Sequence, residues 1–167
     1  MIFLPPEVAA VFREFRVCEL TTLAQDGTPT TWPLAARYQP DGRFLMTTSI
    51  GFPQKAFNIR RNPRVSMLFS DSTGSGLNTP PAVLVQGDAV AEDKIITSVE
   101  GLEEYWRETI FRRQPASEII GGNAITRKLM DWYYMRLLIF VTPRLIQWWP
   151  NGDFTQPAHQ LEVNRVE

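Results

Sequence analysis

The stretch TTSIGFPQKAFNIRRNPRV, residues Thr47 to Val65, decides the fold more than any other part of the sequence. It begins at the end of a short apolar and β-branched strand, passes through a turn of small residues, and continues into a basic helix that ends at Asn62 and Pro63. Pro53 suits the first turn of that helix, because the missing N–H of proline costs nothing there. The stretch therefore predicts a strand, a tight turn and a short helix in succession.

The start of this helix is a candidate anion site. Free backbone N–H groups at a helix N-terminus carry partial positive charge, and the hydroxyl groups of Thr47, Thr48 and Ser49 can donate hydrogen bonds. Lys55 adds a full positive charge nearby, so the arrangement suits a phosphate group. Composition alone favours a different interpretation, in which the basic residues form a solvated helix face and the threonines are ordinary strand residues.

Outward from this stretch, short strands alternate with tight turns. Pro29 and Pro33 indicate that the second strand lies at a sheet edge or carries a bulge, and Pro143 predicts a break between the last two strands. Asp26-Gly27 is a hairpin signal, and Asp41-Gly42 marks another turn. The predicted strands cover residues 17–24, 28–38, 43–48, 64–69, 82–91, 137–142 and 144–149.

The whole chain, 1–167, is predicted to form one domain. Helical periodicity predicts an N-terminal helix within 1–16 and a helical insertion at 92–135, which includes a second helical stretch at 123–135. The polar tail, 150–167, is predicted to be loose. Several short antiparallel strands with inserted helices predict a mainly β fold, Greek-key-like, that forms a closed or split β-barrel.

Charge and composition exclude several classes of protein. The net charge of −1 argues against a nucleic-acid partner, and no apolar run is long enough to predict a membrane span. The single cysteine, Cys18, is expected to be a buried apolar residue and fits a cytoplasmic location. The single histidine, His159, lies in the tail, so neither a histidine-based catalytic triad nor a histidine metal site is expected.

We therefore predict no catalytic side chain and no metal site, and expect any reactivity to come from a cofactor. Aromatic residues on strands, Trp32, Trp148 and Trp149, are suitable neighbours for a planar ring system. Tryptophans on strands are also common in protein cores and dimer interfaces, so both interpretations stay open.

Three motifs, TLAQDGTP, FLMTTS and QKAFNIRRNPRV, resemble the FMN-binding split barrels of the pyridoxamine 5'-phosphate oxidase-like superfamily. The resemblance covers residues 17–91 best. It implies an FMN-binding split β-barrel, flavin-dependent hydride transfer to or from a small-molecule substrate, and a homodimer with the cofactor at its interface.

The resemblance also implies the site residues. The cofactor phosphate would be held by the hydroxyl-rich strand end and the start of the helix, namely Thr47, Thr48, Ser49, Gln54 and Lys55. The isoalloxazine ring would lie along the strand from Trp32 to Arg37, chiefly through backbone groups of Pro33, Leu34 and Ala35. Trp149 would come from the other subunit.

Departures from the family pattern argue against oxidation of vitamin B6 itself. Gln54 stands where B6 oxidases usually have an arginine, and Ala82 stands near the position of a glutamine that contacts the flavin. The arginine-and-histidine substrate motif of those oxidases has no match in LIQWWPNGDFTQ.

Other cofactors and roles stay open. The same fold holds coenzyme F-420, and Arg60, Arg61 and Arg64 are candidates for its polyanionic tail or for solvated and ion-paired helix-end residues. A dimer that binds a flavin or another ligand without turnover is a further alternative. A haem-binding branch exists, but His159 in the tail is the one available imidazole.

Overall fold

The computed structural model describes residues 3–97, 102–112 and 135–163. Helix α1 spans Pro6–Glu14, α2 spans Gln54–Arg61, and α3 spans Glu103–Tyr105 and continues as a π-helix over Trp106–Phe111. We refer to α3 and this π-helix together as the covering helix. The strands are β1 Cys18–Leu23, β2 Pro29–Leu34, β3 Arg37–Tyr38, β4 Phe44–Ser49, β5 Arg64–Phe69, β6 Ala82–Ile96, β7 Arg136–Trp149 and β8 His159–Glu162.

All strand pairs are antiparallel, and the strand order is β2-β1-β5-β6-β7-β4-β3, with β8 paired to β7. The edge strands β2 and β3 are neighbours in the chain, joined by Ala35 and Ala36. This short connection curls the sheet, so that its two edges face each other. The predicted mainly β, antiparallel split barrel is confirmed.

The barrel interior is apolar and closed at one end by α1. Phe12 of α1 packs edge-on against Phe44, with ring centroids 4.8 Å apart, and also contacts Phe69 at 5.1 Å. Cys18 is fully buried in this core, as the sequence predicted. A second buried cluster lies outside the barrel, between the sheet and the covering helix, and contains Ala35, Leu45, Tyr105, Trp106 and Ile110.

The predicted break at Pro143 is wrong, because β7 runs through it without interruption. The register places Gly87 opposite Pro143 and Gln86 opposite Leu145, which leaves Arg144 as the extra residue of a β-bulge. A side chain at Gly87 would overlap the carbonyl oxygen of Thr142. The bulge and the glycine together let a proline lie within a central strand.

Two further boundaries differ from the sequence predictions, and a third prediction falls almost entirely outside the described residues. The predicted second strand is divided into β2 and β3, and β2 does lie at a sheet edge as its prolines indicated. Residues 92–96 belong to β6 and not to the predicted helical insertion, whose described helix begins at Glu103. The predicted helical stretch 123–135 lies outside the described residues except Met135, which is not helical.

The predicted loose tail, 150–167, contains strand β8. This strand pairs with β7 over four residues, from Leu145↔Glu162 to Trp148↔His159. His159 is exposed and its ring stacks on Trp148, with centroids 5.4 Å apart. Among the described residues, the helices are all too short or too polar to cross a lipid bilayer.

Candidate functional site

Lys55 lies in the first turn of α2 and is only 5% exposed. Its Nζ donates hydrogen bonds to Oγ1 of Thr48 at 2.8 Å and to the carbonyl oxygen of Phe52 at 3.1 Å. The Thr48 hydroxyl in turn donates to the same carbonyl at 3.0 Å. The ring of Trp32 lies over the ammonium group at 5.4 Å. These four residues, Trp32, Thr48, Phe52 and Lys55, form what we call the lysine cradle.

The lysine cradle holds a buried positive charge that its protein contacts do not neutralise. Within the described residues, Lys55 makes no ion pair with a carboxylate. Burial lowers the pKa of Lys55, and the positive charge of Arg136 lowers this pKa further. Both effects disfavour the charged amine, so an anion bound there would raise the pKa again.

A lysine ammonium group has three N–H donors, and two of them are used by Thr48 and Phe52. The third N–H has no protein acceptor among the described residues. The cradle also lies at the N-terminal end of α2, where backbone N–H groups have no partner within the helix. The residues present therefore fit a phosphate group.

Thr47 lies on the opposite side of β4 from Thr48, because successive side chains of a strand point to opposite faces. Its hydroxyl accepts a hydrogen bond from Nη1 of Arg136 at 3.3 Å and lies 3.4 Å from the hydroxyl of Tyr105. The structure thus divides the predicted phosphate-binding threonines: Thr48 joins Lys55, and Thr47 joins Arg136 and Tyr105.

Tyr105 links the covering helix to the strand predicted to lie along a flavin ring. Its hydroxyl donates to the carbonyl oxygen of Ala35 at 3.3 Å. Burial raises the pKa of the Tyr105 hydroxyl, which keeps it protonated and able to donate. The Arg136 guanidinium lies 4.9 Å from the ring centre of Trp106, the next residue of the same helix.

Arg136 and Tyr105 are candidate site residues that the sequence does not predict. Arg136 pairs with Ser49 in the β4–β7 register, but the two residues are far apart in the chain and nothing local connects them. Tyr105 falls within an amphipathic pattern whose apolar face predicts simple packing. Knowledge of the antiparallel pairing of β4 with β7 would have placed Arg136 beside Thr47 and Thr48.

The strand predicted to contact a ring is open at one end and covered at the other. Pro33 is exposed and Leu34 is half-buried, whereas Ala35 is 4% exposed and its carbonyl is bonded to Tyr105. Arg37 is paired with Glu104 and, at 3.6 Å, with Glu108 of the covering helix. The accessible part of this strand is therefore Trp32 to Leu34.

The other predicted residues lie apart from the cradle's contacts. The Ser49 hydroxyl accepts a hydrogen bond from the N–H of Gly51 at 3.2 Å, which stabilises the turn. Gln54 is exposed and donates to Oδ1 of Asn58 at 3.0 Å. Trp149 ends β7, at the opposite end from Arg136, and its ring lies 5.0 Å from that of Phe154.

The arginines at the end of α2, Arg60 and Arg61, and Arg64 at the start of β5 have different surroundings. Arg60 bonds to the carbonyl oxygen of Ala91 at 3.3 Å and pairs with Asp93 at 3.1 Å. Arg61 is exposed and donates to Asn58, and Arg64 is exposed. Arg61 and Arg64 thus keep accessible positive charge, whereas Arg60 is used to fix the end of β6.

Comparison with solved structures supports the split-barrel fold. A conserved hypothetical protein of Mycobacterium tuberculosis is 26% identical, with coverage of 99% of this chain and 95% of that chain and a TM-score of 0.57. An F420 reductase is 19% identical over 86% of this chain and 98% of its own, with a TM-score of 0.53.

A haem-binding protein of Mycobacterium smegmatis is 14% identical, with coverage of 96% of this chain and 60% of its own and a TM-score of 0.55. A comparison with curated proteins found no match. The family model described as pyridoxamine 5'-phosphate oxidase matches residues 4–135, which is more than half of the sequence. The chain therefore belongs to the pyridoxamine 5'-phosphate oxidase family.

Proposed function

We propose that this protein is a flavin-dependent oxidoreductase that binds FMN and transfers hydride to or from a small organic substrate. The observation that carries the proposal is the lysine cradle, in which a buried ammonium group has no carboxylate partner among the described residues and one N–H donor is left for a ligand. A phosphate group supplies the negative charge and the acceptor oxygens that such a site requires.

Bound FMN would supply the two-electron redox chemistry, and the protein would supply binding and orientation. Lys55 and the N-terminal end of α2 hold the phosphate. Trp32, Pro33 and Leu34 offer the accessible part of the strand for the ring, with Trp32 contacting the Lys55 ammonium group. No side chain of the chain acts as a covalent nucleophile in this proposal.

We further propose that the working form is a homodimer with the cofactor at its interface. Thr48 of the lysine cradle pairs with Leu137 near the start of β7, whereas Trp149 ends this long strand, so one cofactor reaches both more readily when Trp149 comes from the second subunit. Sedimentation equilibrium tests this point, and a monomer that still binds FMN would exclude it.

The decisive experiment compares FMN with riboflavin, which lacks the phosphate. The parent protein is expected to bind FMN at least about tenfold more tightly, because a charge-assisted hydrogen bond is lost with riboflavin. Lys55→Met should reduce this preference to near unity, whereas Lys94→Met, which removes an exposed lysine on β6, should leave it intact. A preference that persists in Lys55→Met would exclude the phosphate assignment.

Turnover is tested separately from binding. Protein loaded with FMN should be reduced by a nicotinamide cofactor or a small organic donor, with bleaching of the flavin absorption. A loaded protein that no donor reduces would identify a ligand-binding dimer without catalysis.

Exposed Arg61 and Arg64 favour a second candidate, a reductase that uses coenzyme F-420. Their positive charges could meet the anionic tail of this deazaflavin. That function predicts tighter binding of F-420 than of FMN, with an affinity that weakens as salt increases. A preference for FMN at every salt concentration would exclude it.

A further inference from the structure

A cavity of about 480 Å³ lies between α1, the strand connection at Ala36 and the covering helix. None of the four residues of the lysine cradle lines it. Its volume falls within the range of about 300–1,000 Å³ that is usual for small-molecule sites. The cavity is therefore a candidate binding site that is separate from the proposed phosphate site.

The lining combines an apolar floor with a cationic rim. The floor includes Phe12, Phe15, Ala36 and Tyr38. The rim carries four arginines and one carboxylate, that of Glu108. These arginines are Arg13, Arg16, Arg37 and Arg112. An apolar wall that carries placed polar or charged groups is typical of sites that bind small organic molecules.

On the α1 side of the cavity, positive charge is in excess. Arg13 and Arg112 share a single carboxylate, that of Glu14, at 2.8 Å and 3.1 Å. Arg16 makes no ion pair with a carboxylate within the described residues. Three guanidinium groups thus face one carboxylate at this end of the cavity.

On the opposite side, the charges are already matched. Arg37 is held by Glu104 and Glu108 of the covering helix. The side chain of Arg37 is only 22% exposed, so it has little access to another anion. An anionic group in the cavity would therefore bind at the α1 side.

The guanidinium group of Arg16 packs against Gly74. A Cβ atom added at Gly74 would lie 2.7 Å from Cζ of Arg16, so the guanidinium group packs directly on the glycine backbone. Gly74 also has a φ of +69°, which other residues rarely adopt. The loop conformation thus leaves room for Arg16 to lie at the cavity wall.

The geometry points to a site for a small apolar molecule, preferably aromatic, that carries one carboxylate. The carboxylate pairs with Arg16, and Arg13 and Arg112 supply additional positive charge. The apolar body packs on Phe12, Phe15 and other residues of the floor. A guanidinium group matches a carboxylate in a bidentate arrangement, which favours carboxylates over other single charges.

The test uses naphthalene-2-carboxylate as the probe and naphthalene-2-carboxamide as its neutral analogue, with binding measured by isothermal titration calorimetry. The acid is expected to bind at least about tenfold more tightly than the amide. Arg16→Gln should remove most of this difference, whereas Arg64→Gln, a change of an exposed arginine outside the cavity, should preserve it. Equal binding of the two probes by the parent, or unchanged binding of the acid by Arg16→Gln, overturns the proposal.

A second variant tests the cavity itself. Ala9 lines it from α1, and Ala9→Phe should fill it and abolish binding of the acid, with circular dichroism used to verify folding. Arg16→Gln decides the question if Ala9→Phe does not fold. The Lys55→Met variant should bind naphthalene-2-carboxylate as well as the parent protein does. Failure of the FMN proposal would therefore appear in the flavin titrations, and failure of the cavity proposal would appear in the carboxylate titrations.

Discussion

The Lys55 ammonium group donates a hydrogen bond to the Thr48 hydroxyl at 2.8 Å, and both side chains are at least 95% buried. The Thr48 hydroxyl in turn donates a hydrogen bond to the carbonyl oxygen of Phe52. The relationship joins the end of β4 to the first turn of α2 across a turn of four residues. It holds the amine in place before any ligand is bound.

Thr48→Val should destabilise the ligand-free protein by about 1–3 kcal/mol, because the buried amine loses an acceptor and the Phe52 carbonyl loses a donor. The measurement is urea-induced unfolding. Thr21→Val is the matched control, since the Thr21 hydroxyl contacts Thr31 near the surface, and its effect should stay below about 0.5 kcal/mol. Equal effects of the two changes would show that the buried bond contributes little.

In the Lys55→Met background, the cost of Thr48→Val should fall, because the amine that needed the acceptor is gone. A double-mutant cycle measures this coupling directly. Additive effects of the two changes would contradict an interaction between these side chains.

The lowered pKa of Lys55 predicts the direction of two pH effects. The unfolded chain binds the lysine proton up to a pKa of about 10.4, whereas the folded chain loses it at lower pH. Between these two pKa values the unfolded state binds more protons, so the stability of the ligand-free protein relative to Lys55→Met should rise with pH. At pH values below the pKa of Lys55 in the folded protein, the full free-energy cost of burying the charged amine is present.

FMN affinity should change in the opposite sense, because the charged amine is the form that binds phosphate. Affinity should fall as pH rises through the pKa of Lys55 in the ligand-free protein, and Lys55→Met should lack this component. Fluorescence titration of FMN at several pH values measures it. Identical pH profiles for parent and variant would place the phosphate elsewhere.

Tyr105→Phe should loosen the covering helix, because it removes the hydroxyl that donates to Ala35 and contacts Thr47. A loss of about 1–2 kcal/mol in the free energy of unfolding is expected for a buried hydrogen bond with partners left behind. Tyr38→Phe is the control, since within the described residues the Tyr38 hydroxyl has no hydrogen-bond partner. Thermal or urea unfolding of both variants provides the comparison, and a larger loss for Tyr38→Phe would contradict the assignment.

Gly87→Ala should destabilise the barrel by at least about 2 kcal/mol, because the new methyl group overlaps the backbone carbonyl of Thr142. Gly51→Ala is a matched control: its Cβ would meet only the Ser49 hydroxyl, at an ordinary 3.6 Å. Urea unfolding of the two variants should differ clearly. A mild effect of Gly87→Ala would mean that the bulge can shift its register.

The first half of the sheet was predictable because its signals are local. The two Asp-Gly turns contain glycines with φ of +84° and +87°, a conformation that glycine favours, and both turns were recognised from the sequence. The helix after Pro53 also begins and ends where proline and asparagine indicated.

Other features depend on partners that are distant in the chain. The bulge at Arg144 requires Gly87 on the neighbouring strand, so Pro143 alone was misread as a break. Five residues of β4 in succession are buried, because the barrel core covers one face and the covering helix covers most of the other. Because both faces are buried, the sequence of β4 lacks the usual alternation of apolar and polar residues. Without this alternation, the sequence does not indicate that Thr47 and Thr48 lie in different surroundings.

The two-residue connection of Ala35 and Ala36 has a mechanical consequence. β2 and β3 are the two edge strands of the same sheet. A molecule anchored to the backbone of Pro33 and Leu34 is therefore attached where the two edges of the barrel meet. Binding of this molecule would then oppose separation of β2 from β3. Amide hydrogen exchange in both strands would slow together when it binds. Ligand binding and closure of the barrel would then be thermodynamically coupled.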